Sequence, residues 1–315
     1  MNDLGTGQAI GKIILMGEHS VVFGKPAIAL PFTNAQITAK IFYIDGPITI
    51  DCIYFNGLLE LAPDTIYGIK QLIYVTLVFL KQPFKNLHIK IDATLPSSRG
   101  LGSSAAVSIA IVRSLFDAFD ATLTEEKLKY FVDIAETIHH LNPSGVDATT
   151  IMSNRAVFFD SYEGKKFIPC HLEGLLVVAD TGKQGFSKEA VADVRKLMNE
   201  NPTIINPIME RLGELTEDVR KYLANNQIIR LGLAMTEAHQ LLNQINVSDP
   251  KLERLVKVAL DAGALGAKLT GSGKGGCMIA LAKDFNQAQK LSNTLKINGA
   301  VSTWVYNLGD VINEI

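Results

Sequence analysis

Cysteine is scarce in this sequence: among 315 residues there are only Cys52, Cys170 and Cys277. They are odd in number, far apart and follow no C-x-x-C spacing, which excludes a disulfide framework and a zinc knuckle. A reducing cytoplasm is the expected home. Charge of one sign is also lacking. Lys and Arg total 30 against 32 Asp and Glu, a formal net charge of −2, so a nonspecific grip on nucleic acid or anionic lipid is excluded. Long hydrophobic runs are missing too: the longest, Leu72 to Leu80, falls far short of the roughly 18 residues of a membrane span. The opening Met-Asn-Asp carries an acid and no basic segment, and the run Ile13 to Met16 is too short for a signal-peptide core, so export is not expected. There is no internal repeat or low-complexity tract.

What is present is the composition of an ordinary globular chain, 47% hydrophobic and 20% charged, long enough to bury one large core or two medium ones without staples. Apolar alternation predicts strands at Lys12 to Met16, Ile28 to Leu30, Gln36 to Ile44, Pro47 to Phe55 and Leu87 to Ile91. Helices are predicted at Tyr67 to Leu80, Ser103 to Phe119 and from a Thr122-x-x-Glu125 capping box to about Leu141, where Asn142-Pro143 ends the last. A strand at Leu175 to Ala179 precedes helical patterns from Lys188 to Ala262, broken near Pro202 and Pro250. The chain closes with strand Cys277 to Ala282, helix Asn286 to Leu295 and strand Thr303 to Asn307. Strand-rich order gives way to helices near residue 170, which places an amino-terminal domain at 1–170, a carboxy-terminal domain at 171–315, and the class as α+β.

Three segments carry chemistry. The first in interest is Pro96-Ser-Ser-Arg99-Gly100-Leu101-Gly102-Ser103-Ser104-Ala105, between a strand and a helix. Amides of a glycine loop at a helix N-terminus point outward together and the helix dipole adds positive charge, which makes a phosphate cradle. The bland alternative is a plain turn with Ser103 as N-cap. No Gly-Lys pair is followed by Ser or Thr, so there is no Walker A loop. Gly100-x-Gly102-x-x-Ala105 and Gly271-x-Gly273-x-x-Gly276 match the dinucleotide fingerprint formally, but the order of elements around them is wrong for it.

In the second segment, Glu136 stands near a helix end and Asp147 follows a Pro143-Ser144-Gly145 turn, so that one carboxylate can hold a cation while the other takes a proton; a solvated helix end, with Asp147 as a cap, explains the pattern as well. Glu136-x-x-His139 is half of a di-iron motif whose second half is absent. The third segment opens the chain: Lys12 begins a strand and Glu18-His19 lies in the turn behind it, although surface exposure is the usual fate of lysine. A second glycine-dense loop, Lys268 to Gly276, leads into an apolar strand, and such density points to close approach by a ligand or another backbone.

In this order and at these intervals, the segments resemble the motifs of the GHMP kinase superfamily. Lys12-x-x-Leu15-x-Gly17-Glu18-His19-x-Val21-x-x-Gly24-x-Pro26-Ala27 is similar to the opening found in its mevalonate kinases; galactokinases continue Glu-His with Thr-Asp-Tyr, and phosphomevalonate kinases tend to carry Tyr after the Glu. The resemblance implies a two-domain α+β fold with a left-handed βαβ crossover and a helix-rich α/β carboxy-terminal domain. It implies transfer of the γ-phosphoryl of ATP to the 5-hydroxyl of mevalonate, with another kinase of the superfamily or a nonenzymatic sensor on its scaffold as alternatives. Pro96, Arg99, Gly100, Leu101, Gly102, Ser103, Ser104 and Ala105 would bind ATP, Ser104 and Glu136 would hold Mg²⁺, Asp147 would accept the hydroxyl proton, and Lys12 would sit beside it. Glu18, His19, Asp147 and Thr181, with Asp180 and Gly182 as neighbours, would meet the acceptor. Gly271, Ser272 and Gly273 would support the nucleotide loop. A homodimer is common among such relatives. One departure is visible: Leu141 follows His140 where many members have glycine.

Overall fold

The computed structural model describes residues 3–139, 145–185 and 187–311. Contacts divide the chain into two compact units, each assembled from separated stretches: Met1–Gly11, Ala35–Pro96 and Gly102–Met152 in the first, Lys12–Asn34, Ser97–Leu101 and Ser153–Ile315 in the second. A single boundary near residue 170 does not follow this division, because the strands Asp3–Met16 and Ala27–Pro47 each run through both units. Asn142, Pro143 and Leu141 lie outside the described residues.

In the first unit, strand Lys85–Ala93 pairs antiparallel with the 37–47 stretch of Ala27–Pro47 and parallel with Thr49–Cys52. Leu87, Ile89 and Ile91 alternate into the core, as the period of two requires. Helix Tyr67–Phe79 lies in the connection between the two parallel strands, which makes a βαβ crossover. The expected strand Pro47 to Phe55 is instead a hairpin, Thr49–Cys52 with Phe55–Leu58, whose turn exposes Ile53 and Tyr54. Apolar β-formers in a row concealed that turn. Helices Tyr67–Phe79, Ser103–Ala118 and Glu125–His139 pack together through Phe79, Phe116 and Phe131, with ring centroids 5.3 to 6.0 Å apart. Such pairs add about 0.5–1.5 kcal/mol each beyond the area they bury. The cap of the third helix is Thr124, whose hydroxyl accepts from Lys127 N at 3.3 Å, so the Thr122 box is out of register by two residues.

The second unit holds an antiparallel sheet in the order Ser302–Asn307, Leu175–Asp180, Cys277–Ala282, Gly266–Thr270. Its inner strands are buried and largely apolar, and helices Ile228–Gln244, Pro250–Asp261 and Phe285–Ile297 pack against the sheet. In the same unit the 27–29 end of the long strand pairs with Val157–Asp160, which pairs with Gly164–Phe167. The helical stretch from 188 to 262 is four helices, the first two being Ser187–Glu200 and Pro202–Ala224. Pro202 and Pro250 start helices, where a missing N–H costs nothing. The break at Asn226, at φ 51°, carries no glycine in the sequence because asparagine takes the left-handed position usually given to glycine. No helix among the described residues is long and apolar enough to cross a membrane.

Candidate active site

In the first unit Gly102, at φ 77° in the left-handed region, leads into helix Ser103–Ala118. Gly102 is the N-cap, not Ser103, and it brings no side-chain acceptor to the helix terminus. One residue into the helix, Ser104 Oγ donates to Glu136 Oε1 at 2.9 Å, and Glu136 is buried. The two residues predicted to share a cation are thus side by side. A hydroxyl and one carboxylate are hard oxygen donors, the kind of set Mg²⁺ takes when substrate phosphates and water complete its octahedron. No cluster of three or more His, Cys, Asp or Glu that could hold a metal ion stands among the described residues. Asp147 lies in the first turn of helix Val146–Ser153, just after Gly145. Ala105 is buried.

In the second unit Lys12 is not a surface lysine: it is 4% exposed, its amide donates to Leu101 O at 2.9 Å and its ammonium to Gly100 O at 3.2 Å. The amino-terminal lysine is therefore attached to the predicted phosphate loop. Leu101 is fully buried and anchors that loop. Gly100 and Gly271 touch: a Cβ on Gly271 would come within 2.6 Å of Gly100 Cα, and both take positive φ. This close approach leaves no room for a side chain at Gly271.

Behind Lys12 the chain turns at Gly17, and the next residues are buried. Glu18 pairs with Lys268, and both side chains are sealed from solvent. Burial pushes the Glu18 carboxyl up and the Lys268 ammonium down, each opposed by the partner's charge. His19 is held at φ 60° and its Nε2 donates to Ser272 O at 2.9 Å. Its Nδ1 is buried and makes no hydrogen bond among the described residues. Thr181 is fully buried and its hydroxyl donates to Gly276 O at 2.7 Å, so its hydrogen is spent inside the protein. Arg99, predicted among the nucleotide contacts, turns its guanidinium to Asp180. Sequence reasoning gave Lys268 no role of its own. A signal was there: a lysine inside the apolar strand Gly266–Thr270 must find a buried partner.

Burial lowers His19 to a pKa of about 4, from 6.5 in an open chain. The unfolded chain therefore binds the extra proton across that window, and the stability held above pH 6.5 drains away as pH falls toward 4. Between pH 7.5 and pH 5 the native protein is expected to lose about 2 kcal/mol from this residue. Urea unfolding of wild type and His19→Gln at both pH values measures it: the gap between them should close by that amount, and parallel pH slopes would contradict the burial.

Comparison with known proteins gives the site a lineage. The model of the GHMP kinase N-terminal domain matches residues 69–155 and that of the GHMP kinase C-terminal domain matches 219–301. A mevalonate kinase of Pyrococcus furiosus is 36% identical, with 92% of each chain covered. Among solved structures, mevalonate kinase from L. major in complex with R-mevalonate superposes with a TM-score of 0.81 at 27% identity, covering 96% of each chain. The mevalonate kinase of methicillin-resistant Staphylococcus aureus gives 0.76 at 32% identity, covering 97% of this chain and 99% of that one. At 36% identity over 92% of its length, and with both domain models matched, the chain belongs to the mevalonate kinase family of GHMP kinases.

Proposed function

We propose that this protein transfers the γ-phosphoryl group of ATP to the 5-hydroxyl of (R)-mevalonate, giving 5-phosphomevalonate and ADP. The observation that carries the reading is the hydrogen-bonded Ser104–Glu136 pair at the end of the glycine loop, in a chain whose likeness to mevalonate kinases extends over 92% of its length. Phosphoryl transfer asks for little covalent work from a protein: the acceptor must lie in line and the charge on the phosphoryl oxygens must be neutralised. The loop from Gly100 to Ser104 receives the phosphates. Ser104 and Glu136 hold Mg²⁺, which when bound neutralises charge on the phosphate oxygens. Asp147 takes the proton of the acceptor hydroxyl as that oxygen forms its bond to the γ-phosphorus and the bond to the β-bridging oxygen breaks. Lys12, fastened to Gly100 O, brings a fixed positive charge to the phosphate loop. Glu18, sealed against Lys268, and His19 belong to the acceptor end, where the buried Nδ1 of His19, which makes no hydrogen bond among the described residues, would meet a polar group of the acceptor.

The cytoplasm is the compartment that suits three free cysteines, and a homodimer is the assembly we expect, open to sedimentation analysis. The decisive experiment couples ADP release to mevalonate, phosphomevalonate, homoserine and galactose in parallel. Only mevalonate should support turnover. Turnover with another acceptor would move the protein to a different member of the superfamily, and ATP binding without turnover on any of the four would make it a sensor.

A further inference from the structure

The 97–101 loop is held by a residue outside the glycine motifs. Arg99 Nε donates to Asp180 Oδ1 at 2.9 Å, its Nη2 donates to Gly182 O at 3.0 Å, and its Nη1 reaches back to Ser97 O at 3.4 Å. Asp180 Oδ1 also accepts from Gly182 N at 2.7 Å, so one carboxylate oxygen organises both the arginine fork and the turn that follows it. The side chains are 15% and 6% exposed. A pair this sheltered differs from a solvated surface bridge, because taking away either member strands the other's charge in a poorly hydrated place.

Asp180 is itself immobile. It ends an inner strand of the antiparallel sheet, in register with Cys277 on one side and Ser302 on the other, and its carbonyl accepts from Val301 N at 2.9 Å. The turn it begins is braced against both glycine loops: Gly185 N donates to Ser98 O at 2.9 Å, and Gly276 N donates to Lys183 O at 2.7 Å. A fixed point on the sheet is thus joined by a charged fork to the backbone of the loop. If Arg99 left to meet a phosphate, Asp180 would remain buried without its cation, which favours keeping the fork in place when an anion binds.

We infer that Asp180 is a positioning residue for the nucleotide: through Arg99 it holds the loop conformation in which the phosphates are received, and it touches neither nucleotide nor acceptor. This rests on the reading of the loop as the ATP phosphate site. Asp180→Ala and Arg99→Ala are each expected to raise KM for ATP about tenfold, while KM for mevalonate stays within about twofold, since a small misplacement of a binding loop is costly. The double alanine variant should be no worse than either single one, because both remove the same strut. Asp180→Asn, which keeps an oxygen for the fork and the turn, should recover most of the ATP affinity, and Arg99→Lys, which keeps the charge without the fork, should not. Calorimetric titration with ATP alone gives the same comparison without an acceptor. A rise in KM for mevalonate equal to that for ATP, additive effects of the two alanines, or a lowered melting temperature with unchanged ATP constants overturns the inference. Wild type that binds no ATP overturns the functional reading as well, whereas normal wild-type turnover with unchanged ATP constants in Asp180→Ala sinks this inference alone.

Discussion

Asp147→Asn is expected to lower kcat by about two to four orders of magnitude, the range supplied by a positioned proton acceptor. The substitution keeps the shape of the side chain and its place in the first turn of helix Val146–Ser153. What is lost is basicity toward the acceptor hydroxyl at the moment its oxygen meets phosphorus. KM for ATP should stay within about twofold, because the missing group acts in the transition state and not on the bound nucleotide. Rapid-quench single turnovers give the chemical step directly. A variant whose single-turnover rate falls less than tenfold would remove Asp147 from the proton-accepting role and leave orientation of the hydroxyl as the main source of rate.

The second large effect is on stability. Lys268→Met leaves Glu18 sealed in the protein with no cation in contact, and breaking a buried pair from one side costs about 3–5 kcal/mol. In a protein of this size that is a fall in melting temperature on the order of 10 °C. The loss has a pH signature. Burial already raises the Glu18 carboxyl, and without Lys268 it rises further and takes a proton to stay neutral. The folded variant then holds a proton that the unfolded chain releases above about 4.5, so its stability falls as pH rises through that interval, by about 1.4 kcal/mol per unit. Glu18→Gln with Lys268→Met removes both charges and should recover most of the loss together with the pH dependence. His239, whose Nδ1 accepts from Leu269 N at 3.3 Å, is the other titratable group beside this lysine, and His239→Gln in the same background separates its contribution. Melting curves for the single and double variants at pH 5 and pH 8 would settle it, and equal losses at the two pH values would show that Glu18 is not stranded.

Much of this could be read from residues in a row. Glycines at 100 and 102 before a small-residue helix declare a loop built for close approach, because no other residue takes positive φ at so little cost. The helices Tyr67–Phe79 and Phe285–Ile297 and the strand Cys277–Ala282 followed from apolar period and length alone. Local signals misled where more than one residue can serve the same purpose. Thr124 caps where Thr122 has the better spacing, and Asn226 takes the left-handed position after helix Pro202–Ala224 without a glycine to mark it.

The sequence by itself determined the α+β class and the family, and it singled out one hydroxyl, two carboxylates and one lysine as the candidates for the chemistry, since these depend on residue type, local spacing and the conformational freedom of glycine. Only the tertiary structure decided the partners. Glu18 meets Lys268 across 250 positions, Ser104 meets Glu136 across 32, and Arg99 meets Asp180 across 81. A buried charge or hydroxyl must be matched by whatever the fold brings within about 3 Å of it, and a linear order of residues contains no such distances.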